Sequence, residues 1–241
     1  MIRRPPRSTP KPSSAASDVY KRQMLIVSMK DRKLLAFKDN TLEERADLHE
    51  LAGFHCNDMV VDEAGNAYIG NFGFNTYAGE GIKPTNLILV RPGEDPVVAA
   101  DDLLFPNGTV ITPDNETLIV GETYAARLTA FDKAEDGSLS NRRIWADLKE
   151  NAEEGPVPLP DGICIDEEGA IWVASPSTSE VIRVHEGGEI SERIAVETNA
   201  FACMLGGEDK KTLFICTSNG SGVDPDSAVR EKSGKIEIVE V

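Results

Sequence analysis

Three short polar residues recur along the chain at matching places in a repeated pattern. Asn57, Asn107 and Asp161 each begin an apolar run, and successive members are 50 and 54 residues apart. Amide and carboxylate oxygens are hard ligands that suit Ca²⁺, Mg²⁺ or Mn²⁺. If the three side chains meet in space, they can hold a divalent cation. Such an ion polarises a carbonyl group and lowers the pKa of a bound water.

The pattern around these residues predicts a β-propeller. An apolar strand, a turn with an acid and Gly or Asn, and a second apolar strand appear in NDMVVDEAGNAYIGN from Asn57, NGTVITPDNETLIVGE from Asn107, DGICIDEEGAIWVAS from Asp161 and, more weakly, ACMLGGEDKKTLFICTS from Ala202. Two further strand-like runs follow each copy, and four short strands in about 40–50 residues are typical of a propeller blade. The inner strands of a propeller line one channel, so we expect the three polar residues to converge at one rim.

The two ends of the chain differ from this repeat. Residues 1–23 carry six basic residues and one acidic residue, are rich in Pro and Ser and have no apolar period, which predicts disorder. We interpret them as a non-native tail that resembles translated sequencing-adapter read-through, and residues 24–241 as the propeller domain. From Met24 onward we count four units and one partial unit without its inner strand, which predicts an open ring.

Composition narrows the class of protein. The net charge of −16 argues against a nucleic-acid partner and against binding to an anionic membrane surface. No apolar run approaches the ~18 residues of a membrane span. Four cysteines without zinc-site spacing favour reduced thiols, so we expect a cytoplasmic protein. No particular oligomeric state is predicted.

The order of the motifs adds a family resemblance. FHCNDMVVDEAGNAYIGNFGF, FPNGTVITPDNETLIVGETY, RLTAFDKAEDGSLSNRRIWADL and LPDGICIDEEGAIWVAS resemble the gluconolactonase, regucalcin and luciferin-regenerating-enzyme family. The resemblance covers Met24 to Val241. It implies an all-β, six-bladed propeller with a divalent ion near its axis. This chain is then expected to lack the first blade and part of the second, leaving about five blades.

The resemblance also implies the metal ligands. They fall on Asn107 and Asp161, and Asp161 is in addition the expected catalytic general base. Ca²⁺ is the expected ion, with Zn²⁺, Mg²⁺ or Mn²⁺ as alternatives. The third family ligand is a Glu in a motif resembling EGPxW, which this sequence lacks; the letters EGP at 154–156 stand in the connection before Asp161, so we do not assign them that role. Weak metal binding and little activity follow for this chain. Because Asn-Gly and Asp-Gly also form turns, a purely structural role is the alternative for both ligands.

The substrate contacts are implied in the same way. Asn57, His55 and Asp58 are the expected substrate-binding residues, and His55 stands where relatives carry an Arg. The loop that follows could wall the pocket with its aromatic residues, which are Phe72, Phe74 and Tyr77.

Three functions are weighed on this basis. The resemblance favours a metal-dependent hydrolase that opens a sugar lactone or similar cyclic ester, so a small-molecule lactone is the expected partner. The main alternative is a non-catalytic propeller that binds calcium or a metabolite. A protein-interaction platform fits less well, because it would show an exposed apolar patch on its rim.

Overall fold

The computed structural model describes residues 14–20, 23–150, 155–220 and 230–241. Within these ranges the protein is all-β, with five antiparallel sheets that follow one another along the chain. We number them sheet 1 to sheet 5 in chain order. The five-bladed arrangement confirms the prediction of an all-β propeller with about five blades present.

Each of the first four sheets has four strands, and the last has three. Sheet 1 contains β1 (Ser14–Tyr20), β2 (Gln23–Ser28), β3 (Lys33–Lys38) and β4 (Thr41–Asp47). Sheet 2 contains β5 (Cys56–Val61), β6 (Ala67–Asn71), β7 (Thr85–Val90) and β8 (Val97–Leu103). Sheet 3 contains β9 (Pro106–Ile111), β10 (Thr117–Glu122), β11 (Arg127–Lys133) and β12 (Leu139–Asp147). Sheet 4 contains β13 (Ile163–Ile165), β14 (Ile171–Ser175), β15 (Glu180–Val184) and β16 (Ile190–Ala195), and sheet 5 contains β17 (Asn199–Gly206), β18 (Thr212–Ser218) and β19 (Lys235–Glu240).

Two short 3-10 turns, Thr76–Ala78 and Thr123–Ala125, stand outside the sheets. No helix in the described ranges is both long enough and apolar enough to cross a bilayer.

Alternation of apolar side chains builds the packing between sheets. Leu25 and Val27 on β2 point to the same face and pack against Ile69 and Ile88 of sheet 2, as the two-residue period of a strand requires. The hairpin turns between the strands use the expected chemistry. Gly169 in DEEGA has φ of 82°, a left-handed conformation that glycine adopts without strain.

The first sheet differs from the sequence-based expectation. Ser14–Tyr20 lie within the segment that we expected to be disordered, yet they form β1 and pair with β2, with Asp18 opposite Leu25 and Tyr20 opposite Gln23. The inner strand that we expected to be missing from this unit is therefore present. The physical reason is that β2 offers a row of backbone groups that an adjacent strand can satisfy whatever its side chains. Residues 1–13 and 21–22 lie outside the described ranges.

The inner strands β1, β5, β9, β13 and β17 contact one another in that order. At the two ends of this series the sheets present apolar rows to solvent. On sheet 1 the row is Met24, Phe37 and Leu42, which are 43%, 38% and 47% exposed. On sheet 5 a similar row consists of Met204, Phe214 and Ile238. Within the described ranges, the first and last sheets thus each have an apolar face that no other sheet covers.

Candidate functional site

The inner strands begin with an irregularity in their pairing, and the predicted site residues lie in it. The register of β5 with β6 shifts between Cys56 and Met59, and that of β9 with β10 shifts where Asn107 stands. In sheet 4 the backbone N–H of Asp161 donates to the carbonyl of Ala174 at 2.9 Å, just before the regular pairing of β13 begins. A bulge of this kind turns side chains away from the sheet.

Backbone contacts bring the starts of neighbouring inner strands together. Gly108 N–H donates to the Asp161 carbonyl at 3.0 Å, and Gly162 N–H donates to the Phe201 carbonyl at 2.9 Å. A Cβ added to Gly108 would lie 2.3 Å from the Asp161 oxygen. Asn107-Gly108 lies inside β9, so its glycine permits a close approach between sheets rather than forming a turn.

Two carboxyl groups and an amide meet at this edge of the sheets. Burial and then repulsion by Asp58 raise the pKa of Asp161 well above its ordinary value, while a hydrogen bond with Asn107 lowers it less strongly. Burial also raises the pKa of Asp58 to about 6. These interactions require the three side chains to be close neighbours, as the repeat predicted for Asn107 and Asp161.

Together, the side chains of Asn107, Asp58 and Asp161 have more hydrogen-bond acceptor atoms than donor atoms. Asn107 Nδ2 donates to Thr123 Oγ1 at 3.2 Å, but Asn107 Oδ1 is buried and has no hydrogen-bond partner among the described residues. In the described ranges, neither Asp58 nor Asp161 forms an ion pair with a basic side chain. A buried acceptor without a partner is unfavourable, and a cation would satisfy it.

These residues fit a hard divalent cation as part of its ligand set. Ca²⁺ takes six to eight oxygen ligands, and Asn107, Asp161 and Asp58 offer oxygens of the right type. No group of three or more His, Cys, Asp and Glu side chains able to hold a metal occurs in the residues that the structure describes. Further ligands would have to come from elsewhere; Glu154 lies outside the described ranges.

A cavity of about 410 Å³ runs along the inner strands from this group. Asp58 lines it together with residues of β9, β13 and β17, among them Thr109, Ile163 and Met204. The volume is in the range of small-molecule pockets.

The other predicted substrate residues are placed differently. Asn57 is 8% exposed, and its Nδ2 donates to the Pro106 carbonyl at 3.3 Å, so this amide hydrogen joins sheets 2 and 3. His55 stacks on Phe54 with ring centroids 4.0 Å apart. Burial, followed by Lys30 and Arg32, lowers the pKa of His55.

The aromatic loop divides between two roles. Phe72 and Phe74 are buried and pack with Phe105 in one cluster. Tyr77 is half-buried and lines a separate cavity beside His55.

Sequence reasoning missed a set of buried polar residues at the end of each second strand. They lie opposite the bulges and are at most 2% exposed; they are Ser28, Asn71, Glu122, Ser175 and Thr217. Glu122 is the charged member. It accepts hydrogen bonds from Arg127 Nε and from the Leu104 backbone N–H, both at 2.8 Å, and from Thr129. The sequence repeat could have revealed these residues, because the second strand of each unit ends in a polar residue, as in YIGN, IVGE, WVAS and ICT.

The family model described as SMP-30/Gluconolactonase/LRE-like region matches residues 6–219, beginning inside the segment that we interpreted as non-native. Regucalcin of Danio rerio is 28% identical over 189 residues, which are 77% of this chain and 61% of the relative. This chain therefore spans about three fifths of the length of that relative. A pentonolactonase of Haloferax volcanii is 28% identical over 82% of this chain and 67% of its own length.

Among solved structures, the calcium-binding protein regucalcin from Agrobacterium tumefaciens superposes with a TM-score of 0.74 at 21% identity. The superposition covers 93% of this chain and 74% of that one, which supports the fold. Since the family model spans most of the sequence, the chain belongs to the SMP-30/gluconolactonase/LRE-like family.

Proposed function

We propose that this chain is part of an enzyme that opens a sugar lactone or a similar cyclic ester with the help of one divalent cation. The observation that carries the proposal is Asn107 Oδ1, which is buried and has no hydrogen-bond partner in the described part of the chain, beside Asp161, whose charge Asp58 repels. The name of the Haloferax relative, a pentonolactonase, and the family description support the substrate class.

Asp161 and Asn107 are the proposed protein ligands of the cation. A positive charge there would offset the repulsion between the two carboxylates and give Asn107 Oδ1 a partner. Ca²⁺ is the first choice because the ligand atoms of these side chains are oxygens, and Mg²⁺, Mn²⁺ or Zn²⁺ are alternatives. When bound, the ion would supply polarisation of the lactone carbonyl and a lowered pKa for water.

The chain's own residues supply the proton chemistry. In its ionised form, Asp161 accepts a proton from the water that attacks the lactone carbonyl carbon. The ring C–O bond then breaks, and the ring oxygen takes up the proton that Asp161 accepted, so that Asp161 is ionised again and the product is a hydroxy acid. Asp58 lines the cavity of about 410 Å³ and is proposed to accept hydrogen bonds from substrate hydroxyl groups. Asn57 and His55 are proposed to contact substrate at the border of the same site.

A second part of the proposal concerns the whole protein. The two uncovered apolar faces on sheets 1 and 5 suit one more sheet between them, as in a six-bladed ring. We propose that this sheet brings the third ligand, a Glu. On its own, the present chain then binds metal weakly and has little activity, because the number of charged ligands tunes affinity.

The test compares gluconolactone hydrolysis by a protein that carries the proposed additional sheet, with Ca²⁺ and after chelation. We expect turnover only with the divalent ion, and equal rates in both conditions would remove the metal from the reaction. Calorimetry on the present chain is the companion measurement. Micromolar Ca²⁺ affinity there would contradict the incomplete ligand set.

A further inference from the structure

A second cavity of about 460 Å³ lies beside His55. Its lining residues are Lys30, Phe54, His55, Asn75, Tyr77 and Ala78. Three segments meet here: the loop after β2, the residues just before β5, and the 3-10 turn Thr76–Ala78. The Cys56 backbone N–H donates to the Met29 carbonyl at 3.1 Å and holds the first two segments together.

The wall of this cavity is aromatic and well supported. The His55 ring lies 5.6 Å from the Tyr77 ring and stacks on Phe54. Behind His55 lies the buried Phe72, with centroids 5.9 Å apart. Asn75 accepts a hydrogen bond from the Ala78 backbone N–H at 3.0 Å, which fixes the turn that carries Tyr77. Rings held in this way offer a preformed apolar contact surface, in which the Phe54 and Tyr77 rings are inclined at 63°.

Two polar groups at the cavity have no partner among the residues that the structure describes. His55 Nδ1 is buried and makes no hydrogen bond to this part of the chain. The Lys30 ammonium forms neither a hydrogen bond nor an ion pair in the described ranges. No carboxylate is among the described residues that line the cavity. In a chain with a net charge of −16, this is a locally positive place, and the Lys30 ammonium is free to bind a ligand.

We propose that this cavity binds a small anion that carries a flat ring, with the ring against Phe54 and Tyr77 and a carboxylate on Lys30. Charge-assisted hydrogen bonds are the strong ones, and a ring face adds apolar contact. The cavity adjoins the proposed substrate contacts, because His55 lines it and Asn57 follows His55 by two residues. The substrate class that follows is a lactone with an anionic, ring-bearing substituent. This last step rests on the proposed function, whereas binding at the cavity does not.

The test uses two probes of matched shape, phenylacetate and neutral 2-phenylethanol, with binding followed by calorimetry in the presence of a chelator. We expect phenylacetate to bind about tenfold more tightly, which corresponds to about 1.4 kcal/mol. Lys30→Met should remove this preference. Lys38→Met is the control, because Lys38 is exposed and is not among the residues that line the cavity. Tyr77→Ala should weaken both probes.

Equal affinity of the two probes for the unmodified protein would overturn the proposal, as would no detectable binding of either. A preference that survives in Lys30→Met would also overturn it. Because the probes are not hydrolysed and the metal is chelated, these outcomes are independent of lactone turnover. Failure of hydrolysis with intact phenylacetate binding would count against the proposed function alone.

Discussion

Two groups of carboxylates in this protein have opposite electrostatic character: Glu122 and Asp62 are buried, whereas Asp58 and Asp161 are half-buried. At Glu122, burial would raise the pKa, but hydrogen bonds from Arg127, Thr129 and Leu104 outweigh it, so the pKa is lowered. At the starts of the inner strands that bear Asp58 and Asp161, which we call the channel mouth, burial and repulsion by Asp58 raise the pKa of Asp161, and burial raises that of Asp58. Burial acts in the same direction in both places, so the partners decide the sign.

The difference indicates what each group is for. Glu122 has its charge compensated by Arg127 and Arg142, at 2.8 and 3.3 Å, and joins the strands around it. Asp62 is similar, with Lys133 Nζ at 3.1 Å. The channel-mouth carboxylates have no basic partner in the described ranges, which favours a cation from solution.

The largest expected effect is on catalysis at the channel mouth. In a protein with the proposed additional sheet, Asp161→Ala should lower kcat at least about 100-fold, because it removes the proposed general base and a proposed metal ligand. The fold should persist, since the change also removes a repelled carboxylate. The measurement is gluconolactone hydrolysis alongside circular dichroism. Glu63→Ala, at an exposed acid, is the control, and retained turnover in Asp161→Ala would exclude Asp161 from the mechanism.

The next largest effect is on stability at the arginine-bound carboxylate. Glu122→Gln should lower the free energy of unfolding by about 3 kcal/mol, because it leaves buried donors and a guanidinium without their charged partner. Urea unfolding of this chain measures the change, with the exposed Glu116→Gln for comparison. A loss below about 0.5 kcal/mol, which is typical of surface substitutions, would show that the cluster is not a stabilising anchor.

A smaller effect separates the two groups by pH. Asp58 has a pKa of about 6 when folded and about 3.9 when unfolded, so the folded state favours its protonated form. Its contribution to stability is present below pH ~4 and is lost as the pH rises through ~6. Asp58→Asn should therefore gain stability over the unmodified chain as the pH rises from ~4 to ~6, by up to ~2 kcal/mol.

Glu122 should show the reverse sign. Its folded pKa is depressed, so its contribution is present above the unfolded value of about 4.3 and is lost as the pH falls through the folded value. Urea unfolding without divalent ions, measured from below pH ~4 to above pH ~6, covers both trends. If the free energy of unfolding varied with pH in the same way in Asp58→Asn and in the unmodified chain, the contrast between Asp58 and Glu122 would be wrong.

The smallest effect is the response to calcium. At a Ca²⁺ concentration about ten times the dissociation constant, binding stabilises the fold by about 1.4 kcal/mol, and Tm should rise accordingly. Asp161→Asn should abolish the rise in Tm. Glu122→Gln should have a lower Tm without calcium and should still show the same rise when calcium is added. An equal shift in Asp161→Asn would place the calcium elsewhere.

The repeat predicted the propeller and the proximity of Asn107 to Asp161, because equal positions in successive blades share one rim. It did not predict β1, since Ser14–Tyr20 follow a Pro- and Ser-rich stretch and have no apolar period, and their strand depends on the exposed edge of β2. Nor did it predict the role of Glu122, whose partner Arg142 comes from β12, 20 residues away. The roles of the site residues remain predictions, because they depend on a ligand that sequence spacing does not define.

The close approach at Gly108 and Gly162 has a consequence for how this fold can change. A Cβ added to Gly162 would lie 2.8 Å from Ala202 Cα, so adjacent blades meet there main chain against main chain. The aperture of the central opening is then set by peptide geometry and not by side-chain bulk. Neighbouring positions such as 107 and 161 are free to exchange one polar group for another while the aperture stays constant. A propeller built in this way can change the polar side chains at its opening without any change in the packing of its blades.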